Sequence, residues 1–214
     1  MDVMSAVWRN RHSVAMAVCV LWLSYCPIAA AADSVEDAQL LILRGDYARA
    51  IDVLRPLVAK GDGRAEYILG NMALDGRGVP RDSQEAMRLY EAAAAAGDVD
   101  AQYVLGAIFL DGAITPKNYA RAHQWLAMAA AQGRKAPTAQ YRLATIYIEG
   151  LGCAKDLVAG HMWLNIAATN AADDHQRTDY EQALLVIGKR MTLQQIRVAQ
   201  AKATRCERSD YHDC

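Results

Sequence analysis

The chain repeats itself. Ala65 to Gly97 realigns onto Ala101 to Gly133 at a constant offset of 36, and a third copy follows at an offset of 38. A period of that length marks stacked supersecondary units, each dependent on its neighbours for a continuous core. The copies open Ala65-Glu66-Tyr67-Ile68-Leu69-Gly70, Ala101-Gln102-Tyr103-Val104-Leu105-Gly106 and Ala139-Gln140-Tyr141-Arg142-Leu143-Ala144. The two extra residues of the last period fall in the polar stretch Arg134-Lys135-Ala136-Pro137-Thr138, where an insertion costs little.

Each copy reads as a helical hairpin. Ala65, Ile68, Leu69 and Met72 follow the i, i+3, i+4, i+7 stripe of an amphipathic helix. Gly70 and Gly106 beside the stripe let a neighbouring backbone come close. Asp75-Gly76-Arg77-Gly78-Val79-Pro80 ends the helix, with two glycines for left-handed turn geometry and a proline that cannot continue it. Asp82-Ser83-Gln84-Glu85 reads as a capping box for a second helix, and Asn118 and Asp156 hold the same cap position later. Ala86, Leu89, Ala92 and Ala93, then Ala122, Trp125, Ala129 and Ala130, are expected to form the buried face of that second helix, which Gly97 and Gly133 end. Composition agrees: 53% of residues are hydrophobic but only one is Phe, so the apolar content comes largely from Ala and Leu, which suits closely packed helices. The expected fold is all-α, an α-solenoid of stacked hairpins with copies at 65–100, 101–138 and 139–172.

The Ala-x-Tyr-x-Leu-Gly opening, the Asp75-Gly76-Arg77-Gly78-Val79-Pro80-Arg81-Asp82 loop and the Ala92-Ala93 and Ala129-Ala130 ends resemble the Sel1-like repeat, a relative of the tetratricopeptide repeat. The resemblance covers about half the chain in tandem copies, and exported bacterial proteins of this kind often resemble the stretch Arg190-Met191-Thr192-Leu193-Gln194-Gln195-Ile196 as well. It implies a helical solenoid acting in protein recognition. Two departures stand out. Ala113 and Ile114 replace Arg77 and Gly78, so the second loop is expected to differ in geometry. Ala144 and Ala171 stand where the pattern has glycine, so the third hairpin is expected to end differently.

Both flanks continue the helical theme. Residues 33–64 read as an N-terminal capping hairpin turned at Gly45-Asp46, and residues 173–214 as C-terminal capping helices, with Thr192 a helix cap and a tail beyond Arg205. Terminal units of a solenoid cover the core with a polar face, and both flanks carry charge suited to that.

Residues 1–31 read as a secretory signal peptide: Arg9, Arg11 and His12 precede an uncharged run from Ser13 to Ala32 that closes on Pro27-Ile28-Ala29-Ala30-Ala31-Ala32. The competing reading is an uncleaved membrane anchor, since that run is just long enough to span a bilayer. A lipoprotein signal at Leu23-Ser24-Tyr25-Cys26 is disfavoured by the bulk of Tyr25. Cleavage near Ala31 or Ala32 predicts a periplasmic or secreted protein and leaves Cys153, Cys206 and Cys214 in a compartment that permits disulfides. Cys206 and Cys214 are expected to pair and staple the tail, worth on the order of 2 to 3 kcal/mol. Cys153, at the repeat position of Val79 and Thr115, is expected to be a free buried thiol.

No metal, cofactor or catalytic motif is expected. His123 and His161 share a repeat position, but equivalent positions in adjacent stacked units lie about 10 Å apart, too far for one ion. The trio Cys206, His212 and Cys214 would need reduced thiols. There is no nucleophile elbow, phosphate loop or His-Glu-x-x-His helix. Cysteine-rich Sel1-like proteins have been linked to penicillin binding or hydrolysis, but those carry a cysteine pair in each repeat, which this chain lacks. The net charge of −1 offers nothing to nucleic acid.

What remains is a groove on the first helices. Glu66, Gln102 and Gln140 form one expected ligand row, Asn71, Ala107 and Thr145 another, and Arg142 interrupts a row otherwise held by Ile68 and Val104. Such a polar ladder suits an extended peptide or glycan. Trp125 and Trp163, at matching positions, are expected to pack rather than stack on ligands. The sequence therefore predicts a non-enzymatic scaffold or adaptor of the bacterial cell envelope, binding a protein partner. Its rivals are a peptidoglycan-binding module or cell-wall hydrolase, and a membrane-anchored assembly factor of a secretion or motility complex.

Overall fold

Ten α-helices follow one another in a computed structural model that describes residues 34–214. They are α1 (Val35–Leu43), α2 (Tyr47–Val58), α3 (Gly63–Asp75), α4 (Ser83–Ala95), α5 (Val99–Asp111), α6 (Tyr119–Ala130), α7 (Pro137–Glu149), α8 (Leu157–Asn170), α9 (Asp174–Gly188) and α10 (Leu193–Arg208). Among the described residues there is no strand. The signal-peptide reading falls on residues outside those described. No helix among the described residues is long and apolar enough to cross a membrane.

Helix starts are set by short polar side chains. Asp46, Asp62, Asp82, Asp98, Asn118, Asp156, Asp173 and Thr192 each accept from a first-turn amide of the helix that follows. At Asp82 the reciprocal half of the expected capping box does not form, because Glu85 instead takes the Arg88 guanidinium at 2.6 and 2.7 Å. Thr192 makes the complete box with Gln195. The first helix of the third copy has no such cap. Its extra residues form a 3-10 turn, Gly133–Lys135, and α7 opens on Pro137, whose fixed φ suits a first turn.

From α1 to α9 each helix packs on the next, so the core runs along the stack without a single centre. Hairpins close at one recurring point. A Cβ on Gly70 would lie 2.8 Å from the Tyr90 ring, and one on Gly106 2.5 Å from Leu126, so the glycines receive a side chain of the second helix rather than its backbone. In the third copy Ala144 stands at that position opposite Leu164, and a glycine at a different point, Gly160 of α8, receives Ile148 of α7 at 2.5 Å. Tyr90, Leu126 and Leu164, one repeat position, are all essentially inaccessible to solvent. The expected face needs correcting by one residue, since the buried pairs are Ala93-Ala94 and Ala129-Ala130 while Ala92 and Trp125 are only half-buried.

Junctions between hairpins obey a second volume rule. A Cβ on Gly78 would meet Tyr47, and one on Gly152 would meet Tyr119, at 2.6 and 2.7 Å. Tyr47 and Tyr119 begin the second helix of the preceding hairpin. In the loop between α5 and α6, Ile114 replaces that glycine, and the helix opposite begins with the small Ser83. The loop also differs in backbone: Gly76 and Gly78, then Gly150 and Gly152, are left-handed, whereas only Gly112 is in the second copy.

The C-terminal helices depart from a closed hairpin, since α9 and α10 each pack on α8 and scarcely on each other. Nor are the ends uniformly polar: Leu43, Leu185 and Leu193 are 82%, 69% and 78% exposed. The α8 helix ends on Ala171 in extended backbone rather than on a left-handed glycine, which turns the chain into α9.

Closure of the hairpin predicts a coupled pair. Gly106→Ala gains helix propensity but forces its methyl into Leu126, with an expected net loss of about 1 to 3 kcal/mol. Leu126→Ala alone is expected to cost about 3 kcal/mol. Urea unfolding of the double variant should show a total clearly below the sum of the two, because each change relieves the other.

Candidate interaction surface

The first helices α3, α5, α7 and α9 run along one side of the stack and are joined by polar and ring contacts. Arg64 on α3 pairs with Asp100 on α5 and lies 3.6 Å from Asp98. Arg142 on α7 reaches Asp111 at 3.1 Å, and Tyr141 stacks on Tyr180 of α9 at 4.8 Å between ring centroids. On the other side Arg121 bridges to Glu91 at 2.9 Å and lies over the Phe109 ring. Arg142 is therefore a brace between units, not a free ligand arm.

The row Glu66, Gln102 and Gln140 is turned inward, which corrects its assignment to a groove. Gln102 is 2% exposed and Gln140 fully buried. Gln102 Nε2 donates to the Ala94 carbonyl, and Gln140 Nε2 donates to those of Ala130 and Gly133. Ala94 and Ala130 lie in the last turn of the second helix of the preceding hairpin and Gly133 just beyond it, so each glutamine adds a side-chain donor to a helix terminus across a unit boundary. Glu66 occupies the same position as a carboxylate. Burial pushes its carboxyl above the usual range, with Arg88 pulling the other way.

Gln140 also anchors the C-terminal tail. Asn170 Nδ2 donates to Gln140 Oε1 at 3.1 Å and to Tyr211 Oη at 3.0 Å. The Tyr211 ring lies against Gly133, where an added Cβ would sit 2.6 Å from it at a φ of +70°. Cys206 and Cys214 form a disulfide around this loop, in which Asp210 and Tyr211 adopt left-handed backbone. The tail is thus held by a buried tyrosine as well as by the staple.

Of the expected ligand residues, Asn71 and Thr145 remain half-buried on the first-helix side. Asn71 Oδ1 accepts from Tyr90 Oη, whose proton is held firmly because burial raises that phenol. Thr145 Oγ1 donates to the Tyr141 carbonyl. What sequence reasoning missed is the tyrosine of the repeat opening itself: Tyr67, Tyr103 and Tyr141 are half-buried at matching positions, and Arg64 lies 5.0 Å above the Tyr67 ring. A groove of about 370 Å³ between α1 and α3 is lined by Arg64, Tyr67, Asn71, Asp75 and Arg77.

The remaining candidates serve packing. His123 Nε2 lies 2.9 Å from Tyr147 Oη, and His161 is buried, with desolvation lowering its pKa so that it stays neutral. Trp163 is buried. Cys153 is free but half-buried rather than buried, its thiol facing the Ile146 carbonyl.

This architecture can be set beside known proteins. The Sel1 repeat model matches residues 63–98, 99–133 and 137–171. The chain belongs to the Sel1 repeat family. A Sel1 repeat protein from Oxalobacter formigenes is 30% identical over 63% of this chain and 98% of its own, with a TM-score of 0.57. A second structure, c5321, a protective antigen present in uropathogenic Escherichia coli strains displaying an SLR fold, is 21% identical over 83% of this chain and 46% of its own, with a TM-score of 0.48. No curated protein matches the chain. Sel1 repeat proteins usually mediate protein–protein interaction.

Two predictions follow from the buried polar contacts. A carboxyl raised in the folded state favours folding at low pH, and that contribution is lost as pH rises through the folded value. Glu66→Gln should therefore raise the unfolding midpoint at pH 7 and change it much less at pH 4, as read by thermal melts. Tyr211→Ala should cost about 3 kcal/mol in urea unfolding, and a loss below about 0.5 kcal/mol would show the tail to be undocked.

Proposed function

We propose that this Sel1 repeat chain is an exported, non-enzymatic scaffold of the bacterial cell envelope that binds a protein partner along its first-helix face. The observation that carries the reading is the recurrence of half-buried Tyr67, Tyr103 and Tyr141 on the first helices, with Tyr67 lining the groove that holds Asn71. Half-buried tyrosines present large, stiff, amphipathic contact area, which suits protein recognition. Arg77 and Asp75, paired at 3.2 Å on the groove wall, supply exposed charges able to fix the register of an extended segment. Export rests on the n-region, apolar run and small-residue cleavage site in residues 1–31.

A photoreactive residue placed at Asn71 and, in a separate strain, at the outward-facing Met128 tests the partner class in cells. The expected outcome is a protease-sensitive adduct from Asn71 and none from Met128. An adduct that survives protease but yields to a peptidoglycan hydrolase would favour the glycan-binding reading instead. Amino-terminal analysis of the same purified protein should begin at Ala32 or Asp33, and a chain still starting at Met1 would favour the membrane-anchored one.

A further inference from the structure

Large exposed apolar side chains are not spread evenly along the stack. Among the described residues they are Leu40, Leu43, Met128, Leu185, Val186, Leu193 and Val198, and all except Met128 belong to the terminal helices α1, α9 and α10. Among the described residues, both terminal units of the solenoid thus carry exposed apolar groups.

At the C-terminal end the gap between α9 and α10 forms a groove of about 630 Å³, with Leu184 and Leu185 on one wall, Ile196 on the other and the buried His161 in its floor. Glu181 and Lys189 mark the two ends of the α9 wall. They lie eight residues apart, or about 12 Å along a helix.

At the N-terminal end the exposed face of α1 runs through Glu36, Leu40 and Leu43 and closes on Arg44 just beyond the helix, at helical spacing. Its terminal charges are also eight residues apart. Laid antiparallel to α9, Glu36 comes beside Lys189 and Arg44 beside Glu181, while Leu40 and Leu43 cover Leu184 and Leu185. None of these four charges has an ion-pair partner among the described residues.

We propose that the groove between α9 and α10 receives α1 of a second copy of this chain, joining copies head to tail. The match in length, apolar centre and order of charge selects this occupant. The contact is heterologous: each copy keeps a free α1 at one end and a free groove at the other, so association continues into a row of copies unless the rotation closes a ring. The repeat architecture then extends across the boundary between molecules.

Sedimentation velocity of the full chain over a wide concentration series tests this. The wild-type sedimentation coefficient is expected to rise with concentration. Glu181→Lys with Lys189→Glu reverses the groove, and Glu36→Lys with Arg44→Glu reverses the helix, each weakening association about ten-fold or more. The four positions are exposed, and helical circular dichroism checks that the variants keep the fold. Combining all four changes in one chain restores the charge order and is expected to restore association, as is mixing the two separate variants. A chain that stays monomeric throughout the series, or assembly that neither pair of substitutions alters, overturns the proposal.

Discussion

The stack depends on how much side-chain volume each crossing of two helices can hold. Gly70 takes the Tyr90 ring, Gly106 takes Leu126, and Gly160 takes Ile148 from the opposite direction. In every case one helix gives up its Cβ so that the other can place a large group at the contact, fully buried for Tyr90 and Leu126 and half-buried for Ile148, and close packing leaves little room for error in either direction. The junctions between hairpins follow the same exchange, with Gly78 against Tyr47 and Gly152 against Tyr119, while at the equivalent repeat positions of the remaining junction the sequence pairs Ile114 with Ser83. Because each unit contacts only its neighbours, these local fits set the geometry of the whole face that a partner meets.

Polar residues divide by the same logic. Gln102 and Gln140 lie at unit boundaries, where each gives a buried side-chain donor to the last carbonyls of the preceding hairpin. Arg64, Arg121 and Arg142 tie adjacent units from outside. With those groups and the Tyr141–Tyr180 stack committed to the units, Tyr67, Tyr103 and the groove beside Asn71 are what the first-helix face retains for recognition. Their position follows from the stacking, so a partner reads the register of the repeats as well as the individual side chains.

Much of this was legible in the chain before any coordinates. Period, hairpin, loop and the Asp82, Asn118, Asp156 and Thr192 caps are local features, recorded in neighbouring residues, and the structure follows them to within a few positions. The disulfide of the tail was expected too, from the eight-residue spacing, the scarcity of apolar residues between the cysteines and the oxidising compartment that a signal peptide implies. The glutamine row was misplaced because helical periodicity fixes a face relative to the buried stripe, while burial here comes from two sides, the partner helix and the preceding unit. Glutamine recurring beside the invariantly buried Ala101 and Ala139 was the available signal. Tyr211 against Gly133 and the opening between α9 and α10 were not legible. Those depend on contacts between residues far apart in sequence, and no period carries them.

The most direct measurement of the central claim exchanges volume across one junction. Ser83→Tyr alone should overpack against Ile114, and Ile114→Gly alone should leave a void, each costing about 1 kcal/mol or more in urea unfolding. Made together, they install the Gly-against-Tyr arrangement of the other two junctions, and stability should return to within about 0.5 kcal/mol of the wild type. Losses that simply add in the double variant would contradict the account.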